Sequence, residues 1–237
     1  MDIKFNIKYS EKRSLFMSFK FWRQELNPKI KIKDHKVFCI GFHKTGTTSL
    51  FQALTQMGYI MGNQAVGEIL GEDIYDNRYD RLMNYCRTAD AYQDHPFFFP
   101  GFFKKLDKEF PGAKFVLSVR DDENQWFRSL CRFWTNRISS DISRRPTEED
   151  MITAPYRYIG YFCQKVKMLY PNMEFLEDKP YKKTYLDHIA DVREYFKDRP
   201  NDLLELNVAG PDSYQNLAVF LGVKVKKNEK FPWKNKT

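Results

Sequence analysis

Residues 43–49 read His-Lys-Thr-Gly-Thr-Thr-Ser, and their chemistry suits the holding of an anion. Lys44 brings a full positive charge, and the hydroxyls of Thr47, Thr48 and Ser49 bring hydrogen-bond donors. A helix beginning at Thr47 would add unpaired backbone N–H groups and the positive end of its dipole, both of which favour phosphate or sulfate. The order Gly41, Lys44, Gly46, Thr47 differs from the nucleotide-hydrolase pattern G-x-x-x-x-G-K-[ST], in which Lys follows the second Gly and reaches the β- and γ-phosphates. An ordinary Mg²⁺-nucleotide site is therefore disfavoured. A P-loop kinase and a non-catalytic protein that merely tethers an anion stand as the alternatives to a group-transfer enzyme.

The elements around this stretch must put the loop at the end of a strand. Residues 36–41, KVFCIG, form a short apolar run without strict alternation, which suits a strand buried on both faces of a parallel sheet. Leu50, Ala53, Leu54 and Met57 then recur at helical spacing up to Gly58. Residues 63–87 predict one or two helices, followed by a short strand in ADAYQDHPFF. A helix, a Pro-Gly turn and a second buried strand follow, the strand over 114–119, with a helix over 123–137. Two further helices are expected, one over 148–172 and one over 181–202, each closed by a proline. DLLELNV predicts another strand, and PDSYQNLAVFLGV a helix opened by Pro211 and Asp212. Strands alternating with helices imply right-handed crossovers and an α/β fold of three layers, a central parallel sheet flanked by helices.

Within that frame Arg120 falls at the carboxyl end of a parallel strand, where open α/β sheets bind ligands. Trp126, Phe127 and Trp134 fit core packing. His35 and His188 have no supporting neighbours and are expected at the surface.

At 237 residues and 42% hydrophobic, with 21 Phe and 14 Tyr, the chain suits one folded domain rather than two or a disordered segment. Its +8 charge is uneven. Residues 1–36 hold ten Lys/Arg and four Asp/Glu, a net of +6, which leaves +2 for the other 201. The expected organisation is a basic arm over 1–35 and a single domain over 36–237. Leu15, Phe19, Trp22 and Leu26 recur at helical spacing in the arm, which suits a helix packed on the domain or one lying against an acidic surface. Cys39, Cys86, Cys131 and Cys163 are far apart and show no metal-ligand spacing, which suits buried thiols in a reducing compartment. No stretch has the length and apolar character of a signal or a membrane span, so a soluble, cytoplasmic protein is expected. No nucleic-acid-binding module is visible.

The run G-x-x-K-T-G-T-T-S-L over residues 41–50 resembles the 5′-phosphosulfate loop of sulfotransferases that use 3′-phosphoadenosine 5′-phosphosulfate (PAPS). Three more segments resemble the same family in the same order. They are DAYQDHPFFFPGFFKKLDKEFPGAKF, similar to its acceptor-side loop and following helix, AKFVLSVRDDENQWFRSL, similar to its 3′-phosphate-binding strand and helix, and DSYQNLAVFLGV with FPWKN at the C-terminus.

The resemblance implies a P-loop-type fold and transfer of a sulfuryl group from PAPS to a hydroxyl or amine, leaving 3′-phosphoadenosine 5′-phosphate (PAP). No metal is implied. Lys44 would stabilise charge on the leaving phosphate, and Thr45, Gly46, Thr47, Thr48 and Ser49 would hold the 5′ end. His43 stands where the family often has Pro and would lie at the cofactor. Arg120 would meet the 3′-phosphate. The family's Ser follows that Arg by eight residues, a position held here by Arg128, with Ser129 next, so either of the two is the partner. Asp94 and His95 precede Pro96 as in the family's D-x-P and H-x-P patterns, and either would be the base. Lys234 or Lys236 in the tail would lie near phosphate. The acceptor would be a small molecule or a glycan, with sugar, phenol, lipid and peptide tyrosine all open.

Overall fold

The computed structural model describes residues 33–139 and 141–232. The basic arm with its Leu15, Phe19, Trp22 and Leu26, and the tail lysines 234 and 236, lie outside the described residues. Among those described, no helix is long and apolar enough to cross a membrane.

The apolar run of 36–41 forms Val37–Cys39 (β1), which pairs in parallel with Ala91–Tyr92 (β2) on one side and Lys114–Ser118 (β3) on the other. Leu203–Leu206 (β4) pairs in parallel with β3, giving the order β2-β1-β3-β4. Successive side chains leave opposite faces of a strand, and both faces are covered. Val37, Cys39 and Val116 pack with Leu50, Ala53 and Leu54 of Thr47–Gln56 (α1). Leu217 and Ala218 of the C-terminal helix Ser213–Phe220 complete that cluster. Phe38, Ile40, Phe115 and Leu117 pack into a larger, aromatic cluster on the other side. That cluster draws on Phe102–Glu109, Glu123–Ile138 and Asp178–Phe196. The result is the expected three-layer α/β arrangement.

In chain order the remaining helices are Gln64–Leu70 (α2), Glu72–Tyr75 (α3), Asp80–Tyr85 (α4), Phe102–Glu109 (α5), Glu123–Ile138 (α6), Glu148–Thr153 (α7), Tyr161–Leu169 (α8), Asp178–Phe196 (α9) and Ser213–Phe220 (α10). The segment expected to hold one or two helices holds three short ones, because Gly71 joins α2 to α3 and Asn77, with φ 54°, turns the chain before α4. The single helix expected over 148–172 is broken into α7 and α8. Pro155 disfavours helical backbone at Ala154, whose ψ is 124°, and Gly160 restarts the chain at φ 85°. In contrast, α9 starts at Asp178, three residues ahead of expectation, with Pro180 in its first turn, where a missing N–H costs little.

The histidines also differ from expectation. His188 is buried, and its Nε2 lies 2.8 Å from the Ile40 carbonyl at the end of β1. His35 is half-buried and pairs with the Tyr59 hydroxyl at 2.9 Å. Polarity alone suggested solvent, but the aromatic layer above β1 leaves an unpaired carbonyl for His188 to meet. The four cysteines are free, Cys39, Cys86 and Cys163 buried and Cys131 half-buried.

Candidate active site

The loop between β1 and α1 is shaped by close approaches. A Cβ on Gly41 would lie 2.2 Å from Ser118 Oγ, so only glycine lets β1 end against β3. Gly46, at φ 100°, caps α1 with no side chain, and a Cβ there would meet Val208 at 2.3 Å. Lys44 has φ 69°, a region that side-chain-bearing residues seldom occupy. Two donors hold this backbone from behind. Arg120 Nε donates to the Lys44 carbonyl at 2.7 Å, and Trp126 Nε1 donates to the His43 carbonyl at 3.0 Å. Trp126 itself stacks on Tyr185 with centroids 4.5 Å apart, and the Tyr185 hydroxyl accepts from the Arg120 N–H at 3.1 Å. Side-chain donors thus take up the carbonyls of residues 43 and 44, while no side chain caps the first turn of α1.

Of the loop hydroxyls, Thr45 is turned inward, donating to the Phe42 carbonyl at 2.5 Å and pairing with Ser118 Oγ at 2.6 Å. Thr47 donates to Asp94 Oδ2 at 3.3 Å, Ser49 donates to the Pro232 carbonyl at 3.1 Å, and Thr48 is exposed. The Lys44 ammonium sits 4.3 Å above the Phe133 ring centroid. Burial lowers its pKa, and the Arg120 charge adds to this, while Asp94 opposes it.

Asp94 and His95 diverge despite being adjacent. Asp94 has φ 64°, and its Oδ1 accepts the His95 N–H at 2.9 Å. Burial, and after it the charge of Glu68, pushes its carboxyl up to about 6, a value suited to a base at neutral pH. His95 is buried against Phe98, Phe99 and Gly71, and burial holds it well below the usual imidazole range. Neither of its ring nitrogens has a partner. His43 packs on Phe98 with centroids 4.9 Å apart, and burial pushes its imidazole down to about 3. A cavity of about 970 Å³ runs past all of these groups, from the first turn of α1 and Arg120 to the inner faces of α6 and α8.

The uncapped first turn of α1, Lys44 and Arg120 share one pocket with the carboxylates of Asp94 and Glu68. The sulfotransferase-domain family model matches residues 36–237. The chain belongs to the sulfotransferase family. No curated protein matches it. Family membership makes the protein a transferase whose chemistry is the movement of a sulfuryl group.

In this sulfotransferase the structure brings His43, Lys44, Gly46, Thr47, Thr48, Ser49, Asp94, His95 and Arg120 to one cavity. Thr45, Arg128 and Ser129 do not line it. Arg128 is exposed on α6, and Ser129 is buried with its Oγ unpartnered. Several lining residues escaped the sequence reading. Arg132, Phe133, Asn136 and Arg137 come from the C-terminal half of α6, and Glu68, Gln93 and Lys165 come from α2, the end of β2 and α8. The α6 residues carried no clear signal, since Phe133 and Arg137 continue the i, i+4, i+7, i+11 stripe begun by the core residues Trp126 and Leu130. Glu68, Gln93 and Lys165 carried none, because distant segments converge on them.

Proposed function

We propose that this chain transfers a sulfuryl group from PAPS to an acceptor hydroxyl. The observation that carries the proposal is the uncapped first turn of α1, set beside Lys44 and Arg120 in the cavity that also holds Asp94. PAPS, when bound, supplies the sulfuryl group and leaves as PAP.

The N–H groups opening α1 would hold the 5′ end, with the hydroxyls of Thr47 and Thr48 at hand. Lys44 would place its ammonium on the charge that develops there. Lifting it from the Phe133 ring gives up a cation–π contact of about 0.5–1 kcal/mol, an amount that a charge-assisted hydrogen bond offsets. Arg120 already donates Nε to the loop and has its terminal nitrogens for the 3′-phosphate. Arg128 is exposed with no ion pair among the described residues, and Ser129 Oγ is buried without a partner, so one or the other would join Arg120 at that phosphate.

We assign the base to Asp94. The acceptor O–H gives its proton to the carboxylate, which burial makes basic enough to take it and the Lys44 charge keeps from rising further. His95 is neutral and packed among phenylalanines, which suits the shaping of the pocket beside Asp94.

Calorimetric titration of PAP without metal, with ADP as control, tests the reading. Micromolar PAP binding with ADP much weaker is the expected result. Equal affinity for ADP would point to a kinase-like nucleotide site, and binding of neither would remove the enzyme assignment.

A further inference from the structure

The proposed reaction leaves the chemical class of the acceptor open, and the wall of the cavity beyond Asp94 bears on it. Two kinds of surface meet there. One is a hydrogen-bonded polar strip. Gln93 Nε2 donates to Gln64 Oε1 at 3.2 Å, Gln64 Nε2 donates to Glu68 Oε1 at 2.8 Å, and Arg157 Nε donates to Glu68 Oε2 at 2.6 Å. Gln93, Gln64 and Glu68 all line the cavity. The other surface is aromatic, with Phe162 stacked on Tyr156 at a centroid distance of 4.8 Å and Phe99 and Tyr161 on the same cavity.

The polar strip, Gln93, Gln64 and Glu68, lies on the cavity beside Asp94. Amide and carboxylate groups that lose water on ligand binding must have their hydrogen bonds replaced, or the desolvation counts against binding. An aliphatic chain laid along the strip would remove that water and replace none of its hydrogen bonds. A phenol carries one hydroxyl, and that hydroxyl is committed to Asp94. A ring bearing several hydroxyls both donates and accepts at its edge, and offers C–H faces to aromatic rings.

We propose, on the footing of the sulfuryl transfer above, that the acceptor is a hydroxyl-rich ring, a sugar or cyclitol. Its edge lies along Gln93, Gln64 and Glu68, and its face against the aromatic wall. One hydroxyl reaches Asp94. There the acceptor oxygen bonds to the sulfur as the bridging S–O bond of the donor breaks; the hydroxyl proton passes to the Asp94 carboxylate, and the electron pair of the broken bond stays on the departing phosphate.

The test uses the full chain with PAPS and reads acceptor-stimulated PAP formation together with transfer of labelled sulfur. Methyl glycosides of common hexoses and inositol are set against p-nitrophenol and 1-decanol. At least one sugar or cyclitol is expected to exceed the phenol and the alcohol in kcat/KM. Gln93→Leu, and independently Gln64→Leu, are expected to raise that acceptor's KM by about tenfold or more, with PAP affinity and melting temperature close to those of the parent. Preference for the phenol or the alcohol, no stimulation by any sugar or cyclitol, or an unchanged sugar KM in a folded Gln64→Leu variant overturns the acceptor class while leaving sulfuryl transfer standing. Absence of PAP binding overturns both.

Discussion

Lys44 and Asp94 are the two site residues with side chains held at positive φ, 69° and 64°. Such backbone costs on the order of 1 kcal/mol or more and persists where the surroundings enforce it, commonly at functional sites. Their side chains are accordingly expected to act in the reaction more than in the fold. Lys44→Ala should lower kcat by roughly 10²–10³-fold while moving the melting temperature little, as measured by PAP formation and calorimetric scanning; near-parent turnover would end its role. Asp94 allows a sharper test because its two effects have opposite signs. Its folded pKa of about 6 lies above the ordinary carboxyl value of 3.8, so its contribution favours folding below the lower value and is lost as pH rises through 6. At pH 7.5 the charged carboxylate is a net cost. Asp94→Asn should therefore gain about 1–2 kcal/mol in urea unfolding at that pH, allowing for partial solvation, and lose activity by roughly 10²-fold or more. The parent's kcat/KM should rise with pH through about 6.

At the scale of elements, β3 and the start of α6 act together on the loop that follows β1. Arg120 leaves the end of β3, and Trp126 stands one turn into α6, so their donors reach consecutive carbonyls of residues 44 and 43. Trp126→Phe keeps a ring against Tyr185 but removes the N–H that holds the His43 carbonyl. The expected outcome is about tenfold weaker PAP binding by calorimetry, the cost of one unpaired buried carbonyl. An unchanged Kd would show that Arg120 holds the loop alone. The sequence marked Trp126 as core, and it is fully buried; its second task was not legible, because an indole N–H discloses its acceptor only when two segments 83 residues apart are brought together. The break between α7 and α8 was visible in Pro155 and Gly160, yet the apolar spacing on either side suggested one continuous helix.

For the molecule as a whole, neutral buried histidines predict acid sensitivity. Burial pushes His188 down to about 4 and His43 to about 3, and holds His95 well below its usual range. Each folded pKa lies below the ordinary imidazole value of 6.5. The associated stability is therefore present above pH 6.5 and lost as pH falls toward the folded values. Between pH 7 and pH 5 His188 and His43 should each cost about 2 kcal/mol, with His95 acting in the same direction, against about 1 kcal/mol returned by Asp94. The urea midpoint should fall clearly over that interval. A midpoint that stays level would mean that these imidazoles are charged in the fold, where His188 faces the Ile40 carbonyl.

The sequence by itself determined the strand–loop–helix unit of residues 36–58 and the parallel sheet, and it set a lysine and hydroxyls in the loop between strand and helix. These rest on local rules: the hydrophobic period of strand and helix, and the glycines, lysine and hydroxyls of the loop that joins them. Only the tertiary structure gave neighbours such as Asp94 and His95 different environments, since desolvation and charge depend on what packs above them. Residues 68, 93, 132–137 and 165 likewise became one wall only through folding. Their adjacency follows from helices laid across a sheet, and no spacing along the chain encodes it.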